Sequence, residues 1–126
     1  MLRLFGLAMV AGAALAAPAH ATGTISCVSE DGATIDMAIG SLPILAVISA
    51  YIQVGGQEWT TAEGAIGSVQ AFGDAETVRV DFTDANINEI VARLRLFRVL
   101  EESDFAMGGT LQIVGTGAYA VTCIGP

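Results

Sequence analysis

From residue 24 onward, apolar and polar residues trade places almost one for one, in short runs broken by glycine and by acidic turns. Thr24-Ile25-Ser26-Cys27-Val28 alternates in this way, as a half-buried strand does. Glu30-Asp31-Gly32 follows, and Asp-Gly predicts a hairpin turn because glycine accepts a positive φ without steric cost. The returning run, Ala33 to Ile39, sets Ile35, Met37 and Ile39 on one face and Thr34, Asp36 and Ala38 on the other.

Gly40-Ser41-Leu42-Pro43 interrupts the pattern, and Ile44 to Val54 supports two readings. Ser41 with Pro43 close behind suits a helix start. Against it, Ile48, Ala50, Ile52 and Val54 alternate with Ser49, Tyr51 and Gln53, and β-branched residues favour a strand. Gly55-Gly56 then separates Tyr51–Val54 from Gln57-Glu58-Trp59-Thr60-Thr61, the spacing of a two-residue hairpin. The balance favours a strand.

Residues 62–67 read as a loop. Ser68 to Phe72 and Thr77 to Thr83 flank the turn Gly73-Asp74-Ala75-Glu76, with Val78, Val80 and Phe82 facing inward. A short helix is expected over 85–91. Asp84 or Asn86 caps it, Glu89 lies three residues after Asn86, and Ile87, Ile90 and Val91 share a helical face. Period two returns at Ala92, where Leu94 and Leu96 alternate with Arg93 and Arg95. Glu101 to Gly109 reads as an acidic loop, and Thr110–Val114 and Ala118–Cys123 as a closing strand pair. About eight one-faced strands with one short helix predict a mainly β fold, a small antiparallel barrel or sandwich.

The N-terminus changes what is counted. Arg3 precedes an uncharged apolar run, Leu4 to Leu15, and Ala19-His20-Ala21 has the small-x-small form of a signal-peptidase site. Residues 1–21 are expected to be a cleaved secretory signal and 22–126 a single β domain, periplasmic or secreted. Without Arg3, four arginines and no lysine face 13 acids, a net charge of −9. That balance disfavours nucleic acid and anionic membranes. It favours a cationic protein partner, although acidity also simply keeps an exported domain soluble.

Cys27 and Cys123 are the only cysteines. In an exported chain they are expected to pair, stapling the first strand to the last.

The same inventory limits the chemistry. The single histidine, His20, leaves with the signal. With no lysine and no free thiol, the usual nucleophile–base pairs and zinc ligand sets cannot be built. No cofactor, no metal and no enzymatic activity are expected. Asp84, Asn86 and Asn88 have the first spacings of a calcium loop, but Glu89 stands where that loop needs glycine and Arg95 where it needs glutamate. Candidate partner-binding residues are Ser68, Tyr51, Trp59, Arg93 and Arg95. Arg98 is expected on the other face of its strand or displaced by a bulge.

Two stretches resemble the small periplasmic inhibitors of C-type lysozyme. These are Cys27-Val28-Ser29-Glu30-Asp31-Gly32, a cysteine strand entering an acidic-glycine turn, and Gly117-Ala118-Tyr119-Ala120-Val121-Thr122-Cys123, a closing strand with tyrosine before its cysteine. The resemblance implies a stapled antiparallel barrel and inhibition of a cationic hydrolase by a loop serine. Gly67-Ser68-Val69-Gln70-Ala71-Phe72 lies in the corresponding region, with Gly and Ser in the reverse of the family's order. The chain is also similar to short periplasmic proteins of proteobacteria, from which no function carries over. A protein-binding module and a structural, envelope-assembly domain are the two functional expectations.

Overall fold

The computed structural model describes residues 23–41 and 44–125. The expected signal segment, 1–21, and the Leu42-Pro43 break lie outside the described residues. The strands are β1 (Gly23–Ser29), β2 (Thr34–Ser41), β3 (Leu45–Val54), β4 (Gln57–Thr60), β5 (Val69–Gly73), β6 (Thr77–Thr83), β7 (Ile90–Glu101), β8 (Asp104–Ile113) and β9 (Gly117–Ile124). They form one antiparallel sheet in the order β4-β3-β2-β1-β9-β8-β7-β6-β5. The sheet curls into a half-barrel rather than splitting into a sandwich.

Alternation dictates the core. Ile25, Cys27, Ile35, Met37, Ile52, Val78, Val80, Phe82, Leu94, Leu96 and Leu111 point into the curl and are buried, each worth about 1.5–3 kcal/mol in area removed from water for the larger apolar side chains. Cys27 stands directly opposite Cys123 on β9 and the two form a disulfide. That bond closes the meander where its first and last strands meet.

The two edges of the sheet approach each other. β3 packs on β5 without ladder hydrogen bonds, and a side chain at Gly73 would run into Leu45. Farther along, the segment read as a plain loop covers the seam. Thr61 N–H donates to Ala50 O (3.1 Å), Ile66 N–H to Thr60 O (3.3 Å) and Gly67 N–H to Thr83 O (3.1 Å). Ile66 is buried among the core residues.

Bulges shift the phase in two places. Ala38 opposes Ser49 and Ile39 opposes Val47, so Ile48 is the extra residue. The expected inward row of Ile48, Ala50, Ile52 and Val54 therefore loses its first member. Ile48 is exposed, while Leu45 and Val47 pack on the core. Between β6 and β7, Phe82 opposes Ala92 and Thr83 opposes Ile90, which leaves Val91 over.

The expected helix over 85–91 does not form; among the described residues there is no helix. Residues 84–89 make a tight connection instead. Asp84 N–H donates to Glu89 O and Ile87 N–H to Asp84 O, both at 3.0 Å. The Asp84 carboxylate accepts the Asn88 N–H at 2.8 Å. Ile87 sits at φ 58, outside the helical region and unfavourable for a β-branched residue. Asp and Asn do cap backbone donors here, but in a turn.

The acidic loop expected over 101–109 is also largely strand. β7 and β8 continue to a two-residue turn at Glu102-Ser103, with Leu100 opposite Phe105 and Glu101 opposite Asp104. Neighbouring strands stop earlier: β6 begins opposite Phe97, and β9 pairs β8 only from Met107. The β7–β8 hairpin thus projects beyond the sheet as an arm.

Candidate functional site

The five residues proposed from sequence do not converge. Ser68 enters β5 at one edge, and its hydroxyl is committed to the fold. Ser68 Oγ and Thr83 Oγ1 are 3.0 Å apart, and Ser68 N–H donates to Thr83 Oγ1 at 2.9 Å. Trp59 opposes Ile52 across β3–β4 and packs on the core, as the indole's large apolar area favours. Tyr51, opposite Asp36 and Thr60, borders a shallow depression lined by Asp36, Ala38, Ser49 and Thr60. The Tyr51 hydroxyl is held above its ordinary pKa of 10.0, chiefly by its hydrogen bond to the Glu58 carboxylate.

Arg93 and Arg95 do share the outer face of β7, and strand register brings them a neighbour that sequence spacing could not show. Arg79 on β6 stands directly opposite Arg95, and Phe72 on β5 directly opposite Arg79. One row therefore reads Phe72, Arg79, Arg95, Thr110, and the next reads Gln70, Asp81, Arg93, Gln112. Asp81 is the only carboxylate in the two rows. It meets Arg95 Nη1 at 2.9 Å, while the same nitrogen donates to Leu94 O at 2.9 Å and Val80 O at 3.4 Å. Arg93 Nη1 donates to the neutral Gln112 Oε1 at 3.1 Å. Among the described residues Arg79 forms no ion pair. Three of the four arginines outside the expected signal thus gather on one outer face of an acidic chain.

The arm is the second surface. Phe97 and Val99 continue the outer face of β7 opposite Gly108 and Ala106. With Thr122 and Ile124 of β9 they line an apolar groove. Phe97 and Leu100 are each 69% exposed, Val99 59% and Ile124 73%. The tip carries Glu101, Glu102 and Asp104. Arg98 falls on the face opposite Phe97 and Val99, half-buried, with Nε unpartnered. The alternation of Phe97 and Val99 was a readable signal; the four polar residues that follow obscured it.

Beside the arm, the Asp74 carboxylate closes the β5–β6 turn. It accepts Glu76 N–H (2.8 Å), Thr77 N–H (2.7 Å) and the Thr77 hydroxyl (3.1 Å). Those donors, the backbone N–H of Glu76 foremost, hold its pKa below the ordinary 3.8. Among the described residues, no three His, Cys, Asp or Glu side chains gather as a metal site requires.

The arrangement offers two open surfaces of opposite character, one basic, one apolar with an acidic tip. Compared with family models, with curated proteins and with solved structures, the chain finds no match in any of the three.

Proposed function

We propose that this is an exported, non-enzymatic module that docks another protein through the β7–β8 arm. The observation that carries the reading is the exposure of Phe97 and Val99 on the projecting arm, in one apolar groove with Ile124 of β9. Contiguous apolar surface of this kind is costly in water and marks interaction sites. The Cys27–Cys123 disulfide fits an oxidising compartment, and the periplasm or extracellular space is the location we assign.

Inhibition of a cationic hydrolase such as lysozyme is the narrower form of this proposal. Glu101, Glu102 and Asp104 beside the apolar arm favour it. With the Ser68 hydroxyl held by Thr83, such inhibition would run through the arm rather than through a loop serine.

The test is photocrosslinking in the secreting cell, with the reactive side chain placed at Val99 and, as control, at the exposed Asp31 in the β1–β2 turn, at the other end of the sheet. Protein adducts from position 99 and none from 31 are expected. Equal yields at both positions, or none at 99, would remove the docking reading. Purified 22–126 added to a lysozyme assay decides the narrower form.

A further inference from the structure

We propose that the arm's partner is a second copy of this chain, with the acidic tip of one copy seated on the arginine face of the next; this rests on the docking reading above.

The two surfaces complement each other in charge. The outer face offers Arg79, Arg93 and Arg95 against one carboxylate, Asp81, with Phe72 alongside, 54% exposed. The tip offers Glu101, Glu102 and Asp104, flanked by the cross-strand pair Leu100 and Phe105. Each supplies what the other lacks.

The face is also unsatisfied where it stands. Like charges directly opposite on neighbouring strands are destabilising, and Arg79 opposite Arg95 is such a pair. Asp81 engages Arg95, Gln112 engages Arg93, and among the described residues no carboxylate pairs with Arg79. The tip of the same molecule cannot supply one. Arg95 and Glu101 lie on the same strand, about 20 Å apart at ~3.3 Å per residue. A carboxylate for Arg79 from the arm must therefore come from another molecule.

The geometry of such a contact is head-to-tail. Each copy uses its tip on one neighbour and its arginine face on another, so the assembly extends as a chain unless its rotation closes a ring. A single hairpin tip on the outer face falls at the small end of specific interfaces, below about 1,200 Å² in total, so the association is weak and depends on concentration. The whole-molecule negative charge opposes it. At ~0.1 M salt, with a Debye length of about 10 Å, that long-range repulsion is largely screened while the close contacts survive; at ~1 M the close contacts weaken too.

Sedimentation of purified, oxidised 22–126 tests the idea with two neutralised variants. Arg79→Gln/Arg93→Gln removes the face but leaves the Arg95–Asp81 pair intact, and Glu101→Gln/Glu102→Gln/Asp104→Asn removes the tip. The unsubstituted protein should associate progressively with concentration at ~0.1 M salt, and at least tenfold more weakly at ~1 M. Each variant alone should stay monomeric. An equimolar mixture should stop at a 1:1 dimer, because one intact tip and one intact face remain. Arg79→Gln alone, at a residue with no ion pair among the described residues, should weaken association without disturbing the fold.

An unsubstituted protein that stays monomeric to about 1 mM would overturn the proposal, as would variants that associate as well as it does. Crosslinks from position 99 to a different protein, with a monomeric chain, would leave docking standing and reject the second copy. Neither crosslinks nor association would reject both.

Discussion

Cys27 and Cys123 face each other across the β1–β9 pair, their Cα atoms 4.0 Å apart and their positions separated by 96 residues of sequence. The bond therefore ties together the strands at the two ends of the described meander. On the loop-entropy account, closing a loop of that length is worth about 4–5 kcal/mol, less any native-state strain. Cys27→Ser and Cys123→Ser should each lower the unfolding free energy by about 3–5 kcal/mol in denaturant titrations. The double variant should be no worse than either single, because both remove the same bond. A double variant much less stable than both would show that the cysteines act separately.

Thr83 is buried, and its hydroxyl joins the start of β5 to the end of β6 through Ser68. Thr83→Val keeps the shape but leaves the Ser68 N–H without its side-chain acceptor, at a cost of about 1–3 kcal/mol. Ser68→Ala removes one hydroxyl contact and keeps the N–H bond, so it should cost about 1 kcal/mol or less. If Ser68 is structural, Ser68→Ala should also leave crosslinking from position 99 unchanged. Loss of those crosslinks in a folded Ser68→Ala protein would restore the loop serine as a docking residue.

What the sequence made legible was whatever depends on near neighbours. Alternation located most of the strands, and the turn chemistry at Asp31-Gly32 and Gly55-Gly56 is matched by positive φ at Gly32 and Gly55. The short helix failed because Asp84, Asn86 and Glu89 are residue types that cap helices and close turns equally well. Period alone could not separate Ile87, Ile90 and Val91 on a helix from a turn followed by a bulged strand. The bulge at Ile48 was invisible because an extra residue leaves no mark in the all-apolar run Leu45 to Ile48 that opens the strand. The arm was hidden by its acids, which resemble loop composition although the ladder runs through them. The arginine face was half legible: Arg93 and Arg95 share a strand, but Arg79 joins them only through register, which one strand's pattern does not contain.

Gly109 on β8 lies opposite Leu96 on β7, and a Cβ there would overlap the Arg95 carbonyl oxygen and crowd Leu96 Cα at 3.0 Å. Those atoms are backbone and cannot swing aside. Gly109→Ala should therefore destabilise by about 2–3 kcal/mol, as overpacking does. It should also shift the arm, which continues from this pair along the same ladder. Gly56→Ala, with open space around the added methyl, is the control and should stay within about 0.5 kcal/mol of the parent. Equal stability of the two variants would mean that the strands separate easily at Gly109.

Asp74 should make the β5–β6 turn beside the arm sensitive to acid. Its pKa is lowered from 3.8 by the donors of Glu76 and Thr77, so the folded state prefers the carboxylate more strongly than the unfolded chain does. The stabilisation is therefore fully present above the unfolded value, near pH 4 and higher. It is lost as pH falls through the lower folded pKa. Asp74→Asn keeps an acceptor oxygen but cannot titrate. The stability gap between the parent and Asp74→Asn should be constant from about pH 7 to pH 5 and shrink steadily below about pH 4. Denaturant midpoints measured at half-unit steps of pH decide it. A gap that persists unchanged to pH 2 would mean that the turn draws on the oxygen's position and not on its charge.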